Sequence, residues 1–262
     1  MTNNFQDLLS YIETKTTFKC RRYKEKPLKR RIAVRMRALG LTDFCQYHNH
    51  IKENPSEIEK LLETLTINLS YFFRNPETFE YIKTSIFPIL KEKRETLTFW
   101  SAGCAQGEEP YSLAILAQES SLLNKVKIYG TDIDNHILKQ AARGIYSTMA
   151  LQYTPDHVKA HYFEKTNDGL RIAEKMRERV EFLNLDIFES PLFEPCDLIM
   201  CRNVLIYLDR DAQSIILKNF HNRLKRGGFL IIGKVELLIG IPEAELFEVV
   251  SREEHVYRRK ER

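Results

Sequence analysis

The chain has 262 residues, 43% of them hydrophobic, with 40 Lys or Arg against 36 Asp or Glu and a net charge of +4. It can bury a sizeable core, and the length suits one large domain or a medium one with a small companion. No apolar run approaches the roughly 20 residues that span a bilayer, and MTNNFQDLLSYIE lacks a basic stretch followed by an apolar one, so no membrane insertion is expected and the expected location is cytoplasmic.

Cys20, Cys45, Cys104, Cys196 and Cys201 are odd in number, contain no C-x-x-C pair and imply no disulfide framework. Residues 19–37, KCRRYKEKPLKRRIAVRMR, hold ten Lys or Arg against one Glu. Such a run is usually a solvated helix face; the sharper reading is a docking surface for an acidic partner.

The chain reads as helical up to about residue 92. Pro27 can open a helix with Leu28, Ile32, Met36 and Leu39 on one face and Gly40 as its stop. Shorter helices fit 42–52 and 56–66, and Pro76 suits the first turn of another that runs to about Lys93.

From Leu97 short apolar runs alternate with helical stretches: LTFWSAG, VKIYGTD, VEFLNLD, CDLIMCRN, FLIIGK and HVYRR carry the strand pattern. That alternation predicts an α/β fold with a mostly parallel sheet covered on both faces. Between Gly144 and Val180 it lapses, and a small insertion built around HYFEKTNDGLRIAEK is expected.

In such sheets ligands bind past the carboxyl ends of the strands, where the strand order switches. Small residues in Ser101–Gln106 allow close backbone approach, although G-x-G-x-x-G is absent and no Lys-Ser/Thr follows to make a phosphate loop. Asp132 stands where an acid would hold a ribose diol, and Asp134 fits helix capping better than Asp132 does. Asn184 and the Arg202-Asn203 pair likewise follow apolar strands. These groups suggest a nucleoside ligand that need not carry phosphates. His157 and His161 stand four apart but lack a third ligand at metal spacing, so no metal is expected.

TINLSYFFRN, SAGCAQGEEPYS, GTDIDNHIL, LNLDIF and CRNVLIYLDR, in this order and at these separations, closely resemble the CheR-type chemotaxis receptor glutamate methyltransferases. The resemblance spans essentially the whole chain and includes KRRIAVRMRALGL. It implies a small all-α N-terminal domain over 1–75, a linking helix over 76–92, and over 93–262 a Rossmann-like seven-strand methyltransferase domain with a β insertion near 145–180. The cofactor it implies is S-adenosylmethionine, with S-adenosylhomocysteine as product. Asn68, Ser70 and Arg74 are then expected at the cofactor, with Arg74 on the methionine carboxylate. Ala102 and Gly103 would approach it, Glu108 and Glu109 would stand near the amino group, and Asp132 would hold the ribose. Asn184, Leu185, Cys201, Arg202 and Asn203 would line the adenine and sulfur side, and Tyr207 would stand near the transferring methyl.

The partner the resemblance implies is the cytoplasmic helical bundle of methyl-accepting chemotaxis receptors. It would be met by Lys26, Arg30, Arg31, Arg35 and Arg37, with the protein acting as a monomer. Methylation of another acceptor such as RNA or a small molecule, or cofactor binding without turnover, are the competing readings. A bare basic patch is poor evidence for phosphate recognition, and no nucleic acid is expected.

Several positions depart from the family pattern. Ser70 stands for the usual Thr, Asn75 for an acid, Ala105 and Gln106 for the usual Ser-Thr, and Lys234-Val235 precede Glu236 where Ser or Thr is usual. After Tyr162-Phe163 the loop is short and has one glycine, Gly169, so binding independent of a receptor-tail pentapeptide is expected.

Overall fold

The computed structural model describes residues 4–66, 68–93 and 95–260. The chain forms two compact units, Met1–Ile67 with Tyr207–Gln213, and Asn68–Ile206 with Ser214–Arg262.

The first unit holds α1 (Asn4–Lys15), α2 (Glu25–Ala38), α3 (Phe44–Glu53) and α4 (Glu57–Leu65). Leu28, Ile32 and Met36 are buried on α2, the face that the spacing predicts. The helix begins two residues before Pro27, at Glu25, and the expected fourth apolar position, Leu39, is its half-exposed C-cap. Within this unit the side chain of Arg35 donates to both carboxylate oxygens of buried Glu57, at 2.8 and 2.7 Å, and the Tyr47 hydroxyl donates to the same carboxylate at 3.1 Å. Arg31 donates to the Thr64 carbonyl at 2.6 Å. Lys26, Arg30 and Arg37 are exposed.

The second unit opens with an irregular strap, 68–75, so that strap belongs to the sheet-bearing unit. Next come α5 (Pro76–Tyr81), a π turn (Ile82–Ile86) and α6 (Phe87–Lys91). Pro76 occupies the first turn as expected. Pro88 explains the wide turn, since its ring would strike the carbonyl four residues back and it has no N–H to give.

The sheet is built from β1 (Leu97–Ala102) and β2 (Val126–Asp132), then, past the insertion, β6 (Val180–Asn184), β7 (Cys196–Cys201), β8 (Leu224–Ile232), β9 (Phe247–Ser251) and β10 (Val256–Arg259). Its order is β6-β2-β1-β7-β8-β10-β9. The pairings β6/β2, β2/β1, β1/β7 and β7/β8 are parallel, and β10 pairs antiparallel with β8 and β9. All six residues of β1 and all six of β7 are buried, which is why their sequences run apolar without alternation. The helices of this layer are α7 (Glu108–Glu119), α8 (Asn135–Arg143) and α11 (Arg210–Arg223), whose first residues fall in the other unit.

The insertion carries β3 (Ile145–Tyr146), α9 (Asp156–Tyr162), β4 (Phe163–Thr166), β5 (Gly169–Ile172) and α10 (Glu174–Arg177); its three strands form a separate sheet in the order β3-β5-β4. Strand β9 has no counterpart among the runs read from the sequence. It is an edge strand with Val249 and Val250 exposed, so neither face shows a clean apolar pattern.

No helix among the described residues is long and apolar enough to cross a membrane. The two histidines of α9 are separately engaged, His157 near Glu119 at 3.6 Å and His161 against the Tyr162 ring.

Candidate functional site at the strand ends

Chain direction leaves β1 toward β2 on one side and toward β7 on the other, so the order switches at the carboxyl ends of β1 and β7. Just past β1, the N–H groups of Gly103 and Cys104 both donate to the Thr131 carbonyl, at 2.8 and 2.9 Å, and fold the loop back over β2. Gly103 has φ +75°, and a Cβ there would stand 2.7 Å from Val204 Cγ2. A side chain at that position would collide with Val204 and strain the backbone, so the turn needs glycine.

Asp132 ends β2 almost fully buried. Its carboxylate accepts from the N–H of Ala105 at 2.9 Å and of Asp134 at 3.0 Å, and the Ile133 N–H also bonds to it, which leaves part of its acceptor capacity for a ligand. Burial raises its pKa, opposed by these backbone donors. Asp134 caps α8 by accepting from the N–H of His136 and Ile137, and its other oxygen accepts from the Asn68 amide at 3.0 Å. Asn68 is thereby tied to the far side of the cleft.

The strap is fixed at further points. The Phe72 N–H donates to the Ala150 carbonyl at 2.9 Å, and Phe72 itself packs edge-on to Tyr146 and Phe163. The Phe73 N–H donates to the Ser112 hydroxyl at 3.0 Å. Ser70 hydrogen-bonds to buried Glu108, whose pKa is pushed up by burial to about 7 and pulled down by backbone and Ser70 donors. The Oε2 atom of Glu108 is buried with no partner among the described residues. Arg74 is half-buried, and one guanidinium nitrogen donates to the Leu69 carbonyl at 3.3 Å.

Arg202 joins the strap to the sheet. Its Nη2 donates to the Arg74 carbonyl at 2.7 Å and to Asn75 Oδ1 at 2.6 Å, and its Nη1 lies 3.4 Å from Glu109 Oε2. The Ser101 hydroxyl donates to the other Glu109 oxygen at 2.7 Å. Burial raises the Glu109 pKa, with Arg202 as the main opposing influence. Asn75 sits in the left-handed region at φ 61°, and as the neutral residue where the family pattern has an acid it keeps the acceptor while adding no second charge.

Among the other sequence-predicted positions, Ala102 and Cys201 are buried strand ends. The Asn184 amide donates to the carbonyls of Asp132 at 3.1 Å and Ile133 at 2.8 Å, and the Leu185 N–H donates to the Asp132 carbonyl at 3.0 Å, so both lock β6 to β2. Asn203 has φ 61° and gives its N–H to Glu236 at 3.0 Å. Arg202, expected among the residues on the adenine and sulfur side, has its side chain buried and its bonds directed to Glu109, Arg74 and Asn75. Tyr207 and the basic residues of α2 belong to the helical unit, where the Tyr207 carbonyl accepts from the Lys24 N–H at 2.8 Å.

Glu236 escaped the sequence reading as a site residue. Nearly fully buried, its carboxylate accepts from the N–H groups of Gly233, Asn203 and Ile206 and so lashes the loop after β7 to the end of β8. Gly233 is required there, because a Cβ would stand 2.7 Å from Glu236 Oε2 and 2.9 Å from the Asn203 nitrogen. An isolated acid shortly after the apolar run FLII was the available signal.

The constellation fits a nucleoside carrying an amino acid. It has a diol acceptor in Asp132, a bare backbone turn at Gly103, an orphaned carboxylate oxygen on Glu108 suited to an ammonium group, and a cation in Arg74 suited to a carboxylate.

Comparison with known proteins agrees. The family description "CheR methyltransferase, SAM binding domain" matches residues 68–256, and "CheR methyltransferase, all-alpha domain" matches residues 3–66. The chemotaxis protein methyltransferase of Salmonella typhimurium is 34% identical over 220 residues, covering 79% of this chain and 74% of its own. The chemotaxis protein methyltransferase of Listeria innocua is 32% identical over 218 residues, covering 83% of each chain.

Proposed function

This chain belongs to the CheR methyltransferase family, and on that premise we propose that it transfers a methyl group from S-adenosylmethionine to glutamate side chains of methyl-accepting chemotaxis receptors, giving glutamate methyl ester and S-adenosylhomocysteine. The observation that carries the reading is the network at the β1/β7 switch point, where Asp132, Glu109, Arg202 and the strap ending in Arg74 come together in one unit.

S-adenosylmethionine, when bound, supplies a methyl carbon on a sulfonium that an ionised carboxylate attacks directly, the carbon–sulfur electron pair returning to sulfur, so no proton has to be removed at neutral pH. The residues of the chain therefore work by alignment and exclusion of water. Asp132 would hold the ribose hydroxyls, Glu108 and Glu109 the amino group, and Arg74 the methionine carboxylate. Arg202 keeps the Arg74 backbone and Glu109 in register, and Glu236 keeps the Asn203 turn in place. Tyr207 would orient the incoming carboxylate.

The acceptor would be the helical bundle of the receptor cytoplasmic region, met by exposed Lys26, Arg30 and Arg37, with the protein working as a monomer in the cytoplasm. The β4–β5 connection is a turn through Asn167 and Asp168 alone, which supports binding independent of a receptor-tail pentapeptide. We test the function by incubating the protein with methyl-labelled S-adenosylmethionine and receptor-containing membranes. Protein-bound label released as methanol by mild alkali is expected of a carboxyl ester; alkali-stable label would overturn the reading.

A further inference from the structure

Beside Arg74 lies a cavity of about 330 Å³, large enough for a charged side chain, whose walls include Glu77, Tyr153, Asn203, Lys234 and Val235. Two cations face it, Arg74 and Lys234. If Arg74 takes the cofactor's carboxylate, Lys234 remains for the acceptor. Its ammonium is built into place: Nζ lies 2.9 Å from buried Glu254, which also accepts from the Thr78 hydroxyl at 2.7 Å. Glu77 stands farther off, at 3.9 Å. An ammonium has three donors, so Glu254 fixes Lys234 without exhausting it. The neighbouring wall at Asn203 is held by Glu236, two residues along the chain from Lys234, so the position of the cation and that of the wall are coupled.

We propose that Lys234 is a specificity-determining residue of the transfer, binding the ionised carboxylate of the acceptor glutamate in this cavity against the Tyr153 and Val235 walls. The inference rests on the function proposed above and adds its acceptor subsite. The chemistry gives direction as well as recognition. The substrate carboxylate is an anion that Lys234 holds, whereas the ester product is neutral and loses the ion pair, so the product leaves more readily than the substrate. An amide at the same receptor position has no charge to offer and is refused.

The test is steady-state kinetics of the full chain, with a receptor cytoplasmic fragment as acceptor, for wild type, Lys234→Gln and Lys234→Arg. The KM for the fragment should rise about tenfold in Lys234→Gln and stay within about twofold of wild type in Lys234→Arg, while S-adenosylhomocysteine affinity stays within about twofold in both. If Lys234→Gln unfolds by orphaning Glu254, the double variant Lys234→Gln/Glu254→Gln removes both charges and carries the same expectation. An unchanged acceptor KM in an active, folded variant overturns the assignment of Lys234 alone, as does an equal loss of S-adenosylhomocysteine affinity. Failure of the wild-type protein to form any alkali-labile ester overturns the function itself and this subsite with it.

Discussion

Arg202, just past β7, and Glu109, in the first turn of α7, face each other at 3.4 Å, both nearly out of solvent, and the same guanidinium carries the carbonyl of Arg74. A single guanidinium thus links the end of β7, the start of α7 and the strap. Removing one partner of a buried pair leaves the other charged and unsolvated, which costs about 3–5 kcal/mol. Arg202→Ala should therefore lower stability by about that amount in denaturant unfolding, and Arg202→Lys should recover part of it while still weakening S-adenosylhomocysteine binding, because lysine has no planar fork to reach Arg74, Asn75 and Glu109 together.

Asp132 separates recognition from folding. Asp132→Ala orphans the N–H groups of Ala105 and Asp134, at about 1–3 kcal/mol each. Asp132→Asn keeps an acceptor oxygen and most of the shape. We expect it to unfold close to the wild-type midpoint yet bind S-adenosylhomocysteine at least about tenfold more weakly, as read by calorimetry.

Glu108 makes stability depend on pH in a stated direction. Its carboxyl is raised from 4.5 to about 7 by burial. Below 4.5 folded and unfolded chains both hold the proton and the group adds no slope. Between 4.5 and 7 the folded protein keeps a proton that the unfolded chain has released, so stability falls as pH rises through that window and stays lower above it. Relative to Glu108→Gln, wild type should lose about 3 kcal/mol across the window in unfolding experiments at stepped pH; parallel curves would contradict this.

The basic helix α2 divides into structural and exposed cations. Arg35→Glu sets a second acid against buried Glu57 and should unfold the helical unit, as seen by loss of its cooperative thermal transition. Reversing Lys26, Arg30 and Arg37 together touches no buried pair. It should slow receptor methylation at low salt, with the difference from wild type shrinking as salt rises and S-adenosylhomocysteine affinity unchanged.

Much of this was legible in the sequence for physical reasons. VKIYGTD coincides with β2 because a strand covered on both faces carries buried residues at consecutive positions, here all but Lys127, and Asp134 capped a helix as its residue type favours. Boundaries and long-range pairs were not legible. The π turn at Ile82–Ile86 depends on a proline one turn ahead, and β9 is an edge strand without a buried face. That Arg35 holds Glu57, or that Glu236 holds Asn203, depends on which acid meets which donor across 22 or 33 residues of chain, and local pattern carries no record of it. Arg202 stands out in the sequence for its place after a strand, but its partners, which come from the strap and from α7, lie too far along the chain for local pattern to name them.

The most direct measurement is tandem mass spectrometry of a receptor cytoplasmic fragment after incubation with the protein and S-adenosylmethionine, run beside Asp132→Asn. The account predicts methyl groups on glutamate side chains in the wild-type reaction and at least about tenfold fewer with the variant at limiting cofactor. Methyl groups on other residue types, or an unmodified fragment despite measurable S-adenosylhomocysteine binding, would contradict it.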